Sequence, residues 1–209
     1  MIKNIIFDLG GVLYDIDFAR TTAALADLGI PLTEENWVSG QQQTLIDTFE
    51  RGVISTDEFI AALQRGGDRQ VSRRQVEQAC CALLLGFTQQ RLTYLQQLRN
   101  KYAIYLLSNT NPLHLSVVEA ELNEKHSIGG LSDLFIHPYT SFTMGLRKPD
   151  LAIYTTVLQE QQLVAAETLF VDDSKLNTDA AAACGLQVLH KPADVELCQA
   201  LPEYLEVSC

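Results

Sequence analysis

Apolar positions fall into short continuous runs separated by helical patterns. Residues 2–9 are nearly unbroken and rich in isoleucine, as in a strand buried on both faces. Four similar runs follow at residues 103–107, 134–136, 168–171 and 186–189. Helical patterns at 89–100, 112–123, 151–161 and 175–184 separate most of them. Strands alternating with helices predict an α/β fold, a doubly wound five-stranded parallel sheet covered on both faces. Ligands of such sheets collect at the carboxyl ends of the strands, near the point where strand order reverses.

Residues 14–87 are too long for one crossover and read as helices at 18–28, 34–49, 55–64 and 72–85. Ser55 with Glu58, and Ser72 with Gln75, have capping-box spacing. Gly29-Ile30-Pro31 and Gly66-Gly67-Asp68 break the helices apart. The expected organisation is a core of residues 1–13 and 88–209 with a helical cap, 14–87, inserted after the first strand.

Composition narrows the function. With 209 residues, 47% of them hydrophobic, the chain can bury a core without disulfides. Five cysteines, at spacings that fit neither a zinc site nor a disulfide framework, predict reduced thiols. A net charge of −11 opposes nucleic acid and anionic membrane as partners. It leaves room for a small phosphorylated metabolite, because a cation and one lysine can reverse the sign inside a pocket. No apolar stretch approaches the ~20 residues of a membrane span. Asp8 interrupts the N-terminal run and no leader cleavage site follows, so a cytoplasmic location is expected.

The candidate chemistry lies where the strand patterns end. The run Ile5-Ile6-Phe7-Asp8-Leu9-Gly10-Gly11 closes an apolar strand on a carboxylate and then turns on two glycines. Ser108-Asn109-Thr110 follows the second strand, and Asp172-Asp173 follows the fourth. Between them lies Gly145-Leu146-Arg147-Lys148-Pro149-Asp150. In this order the four segments resemble the motifs of the haloacid dehalogenase-like hydrolase superfamily, mostly phosphatases with a Rossmann-like core. The resemblance spans nearly the whole chain. It implies that Asp8 is a nucleophile forming an aspartyl-phosphate, and that Lys148 neutralises the charge that builds there. Mg2+ is implied as cofactor, on Asp8, Asp173 and a carbonyl near Gly10, with Asp172 as a further or supporting ligand. Ser108 and Asn109 are expected to donate to phosphate oxygens, and Asn177 to orient Asp173 or a metal-bound water.

One departure stands out. The superfamily's phosphatases usually carry a second aspartate two positions after the nucleophile, and here Gly10 occupies that place. Members with glycine there are nonetheless classed as phosphatases. Of the nearby acids, Asp15 and Asp17 read first as solvated or helix-capping residues. The four histidines show no metal spacing, and Trp37, Phe18, Phe49 and Phe59 read mainly as packing. The segments Asp15-Ile16-Asp17-Phe18, Glu50-Arg51-Gly52-Val53-Ile54-Ser55 and Ser108-Asn109-Thr110-Asn111 look similar to bacterial members acting on sugar phosphates such as glucose 1-phosphate. Two rivals remain at this point: a 2-haloacid dehalogenase, which needs no metal, and a non-catalytic phosphate-binding regulatory protein.

Overall fold

Five parallel strands form the frame, in the order β5-β4-β1-β6-β7. They are β1 (Asn4–Phe7), β4 (Ala103–Ser108), β5 (Pro138–Thr140), β6 (Thr168–Asp172) and β7 (Gln187–His190). The structure is a computed structural model and describes residues 1–30, 41–67, 70–192 and 195–205. β1 lies at the centre, with Ile5 in register with Ile104 on one side and Leu169 on the other. The chain leaves β1 toward β4 and β5, then returns to build β6 and β7 on the opposite side. The reversal therefore falls beside β1, where Asp8 ends the strand.

Alternation along each strand feeds two apolar layers. Phe7, Leu106 and Val171 point into one, while Ile6, Leu107 and Phe170 point into the other. All six are essentially inaccessible to solvent. At roughly 1.5–3 kcal/mol for each such side chain, the central strands anchor the fold.

The segment after β1 contains a second, antiparallel sheet of β2 (Tyr14–Ile16) and β3 (Leu84–Phe87). Between these strands lie α1 (Phe18–Asp27), α2 (Gln41–Glu50), α3 (Thr56–Arg65) and α4 (Arg73–Cys80). Both capping boxes are present, with Ser55 and Ser72 bonded reciprocally to Glu58 and Gln75. The four helices share a separate apolar cluster that includes Leu25, Phe49, Phe59, Leu63 and Val76. The first part of the helix expected at 34–49 lies outside the described residues.

Two expectations need correction. The helix expected to reach residue 85 stops at Cys80, and Leu84–Phe87 is a strand. Gly86 has φ +132°, which a helix cannot accommodate, and the Phe87 ring packs edge-on against Tyr14 at 4.8 Å. The fifth strand is Pro138–Thr140 rather than 134–136, and Leu131–Leu134 forms a helical turn. Leu131 and Leu134, three apart, both turn into the core, whereas Ile136 is 59% exposed. Pro138 has no N–H to give, a loss tolerated because β5 is an edge strand.

The remaining helices cover the sheet: α5 (Gln89–Arg99), α6 (Pro112–His126), α7 (Leu131–Leu134), α8 (Ser141–Met144), α9 (Leu151–Glu160), α10 (Lys175–Ala183) and α11 (Leu197–Ala200). Among the described residues no helix is long and apolar enough to cross a membrane.

Candidate active site

Lys148, Asp8 and Asp172 meet at the carboxyl ends of the strands. The Lys148 ammonium lies 2.8 Å from Asp8 and 2.7 Å from Asp172. Its side chain is 1% exposed and that of Asp172 is fully buried. Asn109 fixes the lysine from behind. Its amide donates to the Lys148 carbonyl and accepts from the Lys148 N–H, each at 2.9 Å. The sequence suggested Asn109 as a phosphate donor; in the structure its side chain also holds the Lys148 backbone. Ser108 and Asn109 both line the pocket over Gly10.

Asp172 is fully engaged. It accepts from Lys148, from the Ser174 N–H at 2.8 Å and from the Asn177 amide at 3.0 and 3.1 Å. Asn177 thus orients Asp172, where the sequence had suggested Asp173 or a metal-bound water. The reason is helical geometry, since the first turn of α10 places residue 177 over the end of β6. Asp173 is half-buried and approaches the glycine turn. A Cβ on Gly11 would lie 2.2 Å from the Asp173 carboxylate, and Gly11 has φ +74°, so only glycine fits there.

The electrostatics are those of crowded anions. Burial pushes the Asp8 carboxyl up to about 7, with Asp172 and Asp173 adding repulsion and Lys148 opposing them. Burial, then the Asp172 charge, likewise raises Asp173. Burial lowers the affinity of Lys148 for its proton, but the two carboxylates outweigh it and the net shift is upward. One lysine does not balance three carboxylates.

Oxygens of Asp8, Asp172 and Asp173 all lie within 4.8 Å of one another. Hard carboxylate oxygens in a cluster with excess negative charge match a small divalent cation such as Mg2+. Asp8 and Asp173 have the free lone pairs for it, because those of Asp172 are spent on hydrogen bonds. The Gly11 carbonyl accepts from the buried Lys191 at 3.1 Å. The turn's other backbone bonds run to the Leu9 and Tyr14 carbonyls, so the Gly10 carbonyl takes no part in them.

Neither alternative acid reaches the pocket. Asp15 is paired with Arg91 at 2.6 Å, and Asp17 caps α1 through the Ala19 N–H. The carboxylate that lines the pocket with Gly10 is Glu50, from the end of α2, held by Arg147 at 2.7 Å. Arg51 pairs with Asp150 at 2.9 Å, so the end of α2 grips both sides of the loop that carries Lys148. His114 also lines the pocket, its ring held by Asn111 and the Cys80 carbonyl. Burial lowers its proton affinity, against the opposing pull of that carbonyl and of Glu50.

Sequence reasoning missed Glu50, Arg147 and Lys191. The charged pairs Glu50-Arg51 and Arg147-Lys148 were visible, but Glu50 and its partner Arg147 lie almost a hundred positions apart.

A family model for haloacid dehalogenase-like hydrolases matches residues 2–185. The chain is 32% identical to a D-ribitol-5-phosphate phosphatase of Bacteroides thetaiotaomicron, over 90% of each chain. It is 30% identical to a sesquiterpene phosphatase of Aspergillus oryzae, over 95% of this chain and 94% of that one. A solved enzyme of the haloacid dehalogenase family from B. thetaiotaomicron, in complex with magnesium and inorganic phosphate, superposes with a TM-score of 0.83. It shares 29% identity and covers 94% of this chain and 97% of its own. The ordered motifs, the sheet order and these matches agree: the chain belongs to the haloacid dehalogenase-like hydrolase family.

Proposed function

We propose that the protein is a magnesium-dependent phosphomonoester hydrolase acting through an aspartyl-phosphate on Asp8, with a small phosphorylated metabolite as substrate. The observation that carries this reading is Lys148 clamped between Asp8 and Asp172, with Asp173 beside them. The magnesium complex of the related structure and the phosphatase names of both relatives support it.

Asp8 Oδ attacks phosphorus, an Asp8–phosphorus bond forms, and the ester oxygen leaves and takes a proton from pocket water. A water then attacks the same phosphorus, its proton passes to solvent, and Asp8 and inorganic phosphate are released. Lys148 offsets the charge gathering on the phosphoryl oxygens and on Asp8 throughout. Asp172 and Asn109 hold Lys148 in place, and Ser108 faces the phosphoryl group from the end of β4. Magnesium, held by Asp8 and Asp173 with the Gly10 carbonyl, would supply positive charge against the incoming phosphate. Residues 14–87 serve as a cap, presenting Phe18 and Glu50 to the pocket.

Gly10 supplies no proton donor, and such a group is typically worth about 10²–10⁴-fold. Slow turnover on poor leaving groups follows. The alcohol half of the ester is a sugar or polyol if the ribitol phosphatase is the guide, and a terpenoid if the other relative is. Hydrolysis of nitrophenyl phosphate with and without Mg2+ tests the reaction. Release of phosphate only with the cation is the expected result. Full activity in excess chelator removes the reading and favours halide displacement from carbon by Asp8, which needs no metal.

A further inference from the structure

We infer that the alcohol carried by the substrate is a short apolar one rather than a sugar or polyol, an inference that rests on the phosphomonoester reading above. Under the helices of residues 14–87 lies an apolar cavity that shares Phe18, Glu50, Leu83 and His114 with the pocket over Gly10. A group esterified to a phosphoryl unit at Asp8 therefore extends toward it. Leu25, Leu45, Ile46, Phe59 and Leu63 contribute to its wall. Leu45 and Ile46 pack against the apolar cluster of these helices yet remain only half-buried, so apolar surface stands uncovered there.

Most polar atoms on this wall are already engaged among the described residues. The Thr21 hydroxyl donates to the Cys80 carbonyl at 3.2 Å and accepts from the Leu83 N–H at 3.0 Å. Asn111 and His114 bond to each other, and the second ring nitrogen of His114 meets the Cys80 carbonyl at 3.1 Å. Glu50 accepts from Arg147 through one carboxylate oxygen and stands where the cavity meets the pocket over Gly10. Beyond Glu50, the hydroxyls of a polyol would lose water here without gaining partners, and a site discriminates strongly against such unpaired groups. An alkyl group gains instead, about fourfold in affinity for each methylene seated.

Size narrows the class further. The cavity volume is ≈ 50 Å³, against the ~150 Å³ that holds a benzene ring. An alkyl group of about two to three carbons is the size that enters without parting the helices.

The test compares propyl phosphate with glycerol 3-phosphate, equal in carbon chain and differing in hydroxyls, by kcat/KM with Mg2+ present. A preference of at least about tenfold for the alkyl ester, expressed mainly in KM, is expected; equal rates or a polyol preference overturns the inference. Binding of both esters to Asp8→Asn protein, measured by calorimetry, separates the two readings. Tighter alkyl binding with no hydrolysis of either ester by wild type sinks the hydrolase reading and keeps the cavity assignment. Hydrolysis of both with polyol preferred does the reverse. Ile46→Ser is expected to cut the alkyl preference at least threefold, and an unchanged preference in the folded variant overturns the assignment of this wall. If Ile46→Ser fails to fold, the wild-type comparison alone decides.

Discussion

Lys148 and Asp172 form an ion pair of 2.7 Å with neither side chain appreciably open to solvent. A pair this buried is costly to break from one side, because the partner left behind is an uncompensated charge. Lys148→Met is expected to destabilise the fold by about 3–5 kcal/mol, read as a lower urea midpoint. Turnover should fall by about 10²–10³-fold, the loss typical of one well-placed electrostatic donor. A stable variant with near-normal turnover would show that Asp172 and Asp8 do not depend on this lysine.

Asp173 differs from Asp172 in having lone pairs that no described donor occupies. Asp173→Asn is expected to weaken Mg2+ binding at least about tenfold while leaving the melting temperature of the metal-free protein unchanged or raised, since one of three crowded carboxylates loses its charge. Magnesium titration by calorimetry, with a melt in chelator, measures both. A sharply lowered melting temperature would assign Asp173 a structural role instead.

Gly10 can take a side chain once Ile16 gives by a few tenths of an ångström. A Cβ there would lie 3.0 Å from Ile16 Cδ1, the mobile end of that chain, and the backbone needs no glycine conformation. Gly10→Asp is therefore expected to fold and to hasten hydrolysis of the aspartyl-phosphate by about 10²-fold. Rapid-quench trapping of phosphoenzyme reads this directly. Breakdown at the same rate in both proteins would mean that a positioned water needs no added acid or base.

Glu121 clamps the small sheet to α6. Its carboxylate accepts from the Tyr14 hydroxyl at 2.5 Å and from the Phe87 N–H at 3.2 Å. Burial acts to raise its pKa, but these bonds, with Lys125 and His126 nearby, outweigh it and leave the folded value below the ordinary 4.5. A depressed folded pKa adds stability that is fully present above the unfolded value and is lost as pH falls through the folded one. Glu121→Gln is expected to cost about 1–3 kcal/mol at pH 7, with the difference from wild type shrinking below pH 4.5. Urea unfolding at pH 7 and pH 4 checks this, and a gap that widens in acid would contradict it.

The central parallel strands were legible because β1, β4 and β6 are buried on both faces and so carry unbroken apolar runs. Asp8, Ser108 and Asp172 were legible because polar residues that end such runs must emerge at the sheet's carboxyl edge. Reading failed where a segment's partner decided its state. Residues 84–87 have helical composition but become a strand because Tyr14 and Glu121 await them, and β5 begins at Pro138 because Leu131 and Leu134 are claimed by the core. No local pattern could have told Asn177 to seek Asp172, or Asn109 to hold Lys148.

The sequence by itself determined the α/β frame, the order of its chemical segments and the excess of acid over base. Side-chain periodicity and strand-end polarity are local properties, written within a few residues of each position. Tertiary structure alone decided which carboxylate pairs with Lys148, which stands free beside it, and which apolar side chains wall the cavity next to Gly10. Those outcomes depend on distances of a few ångströms between residues far apart in the chain, and folding sets them through packing that no single segment encodes.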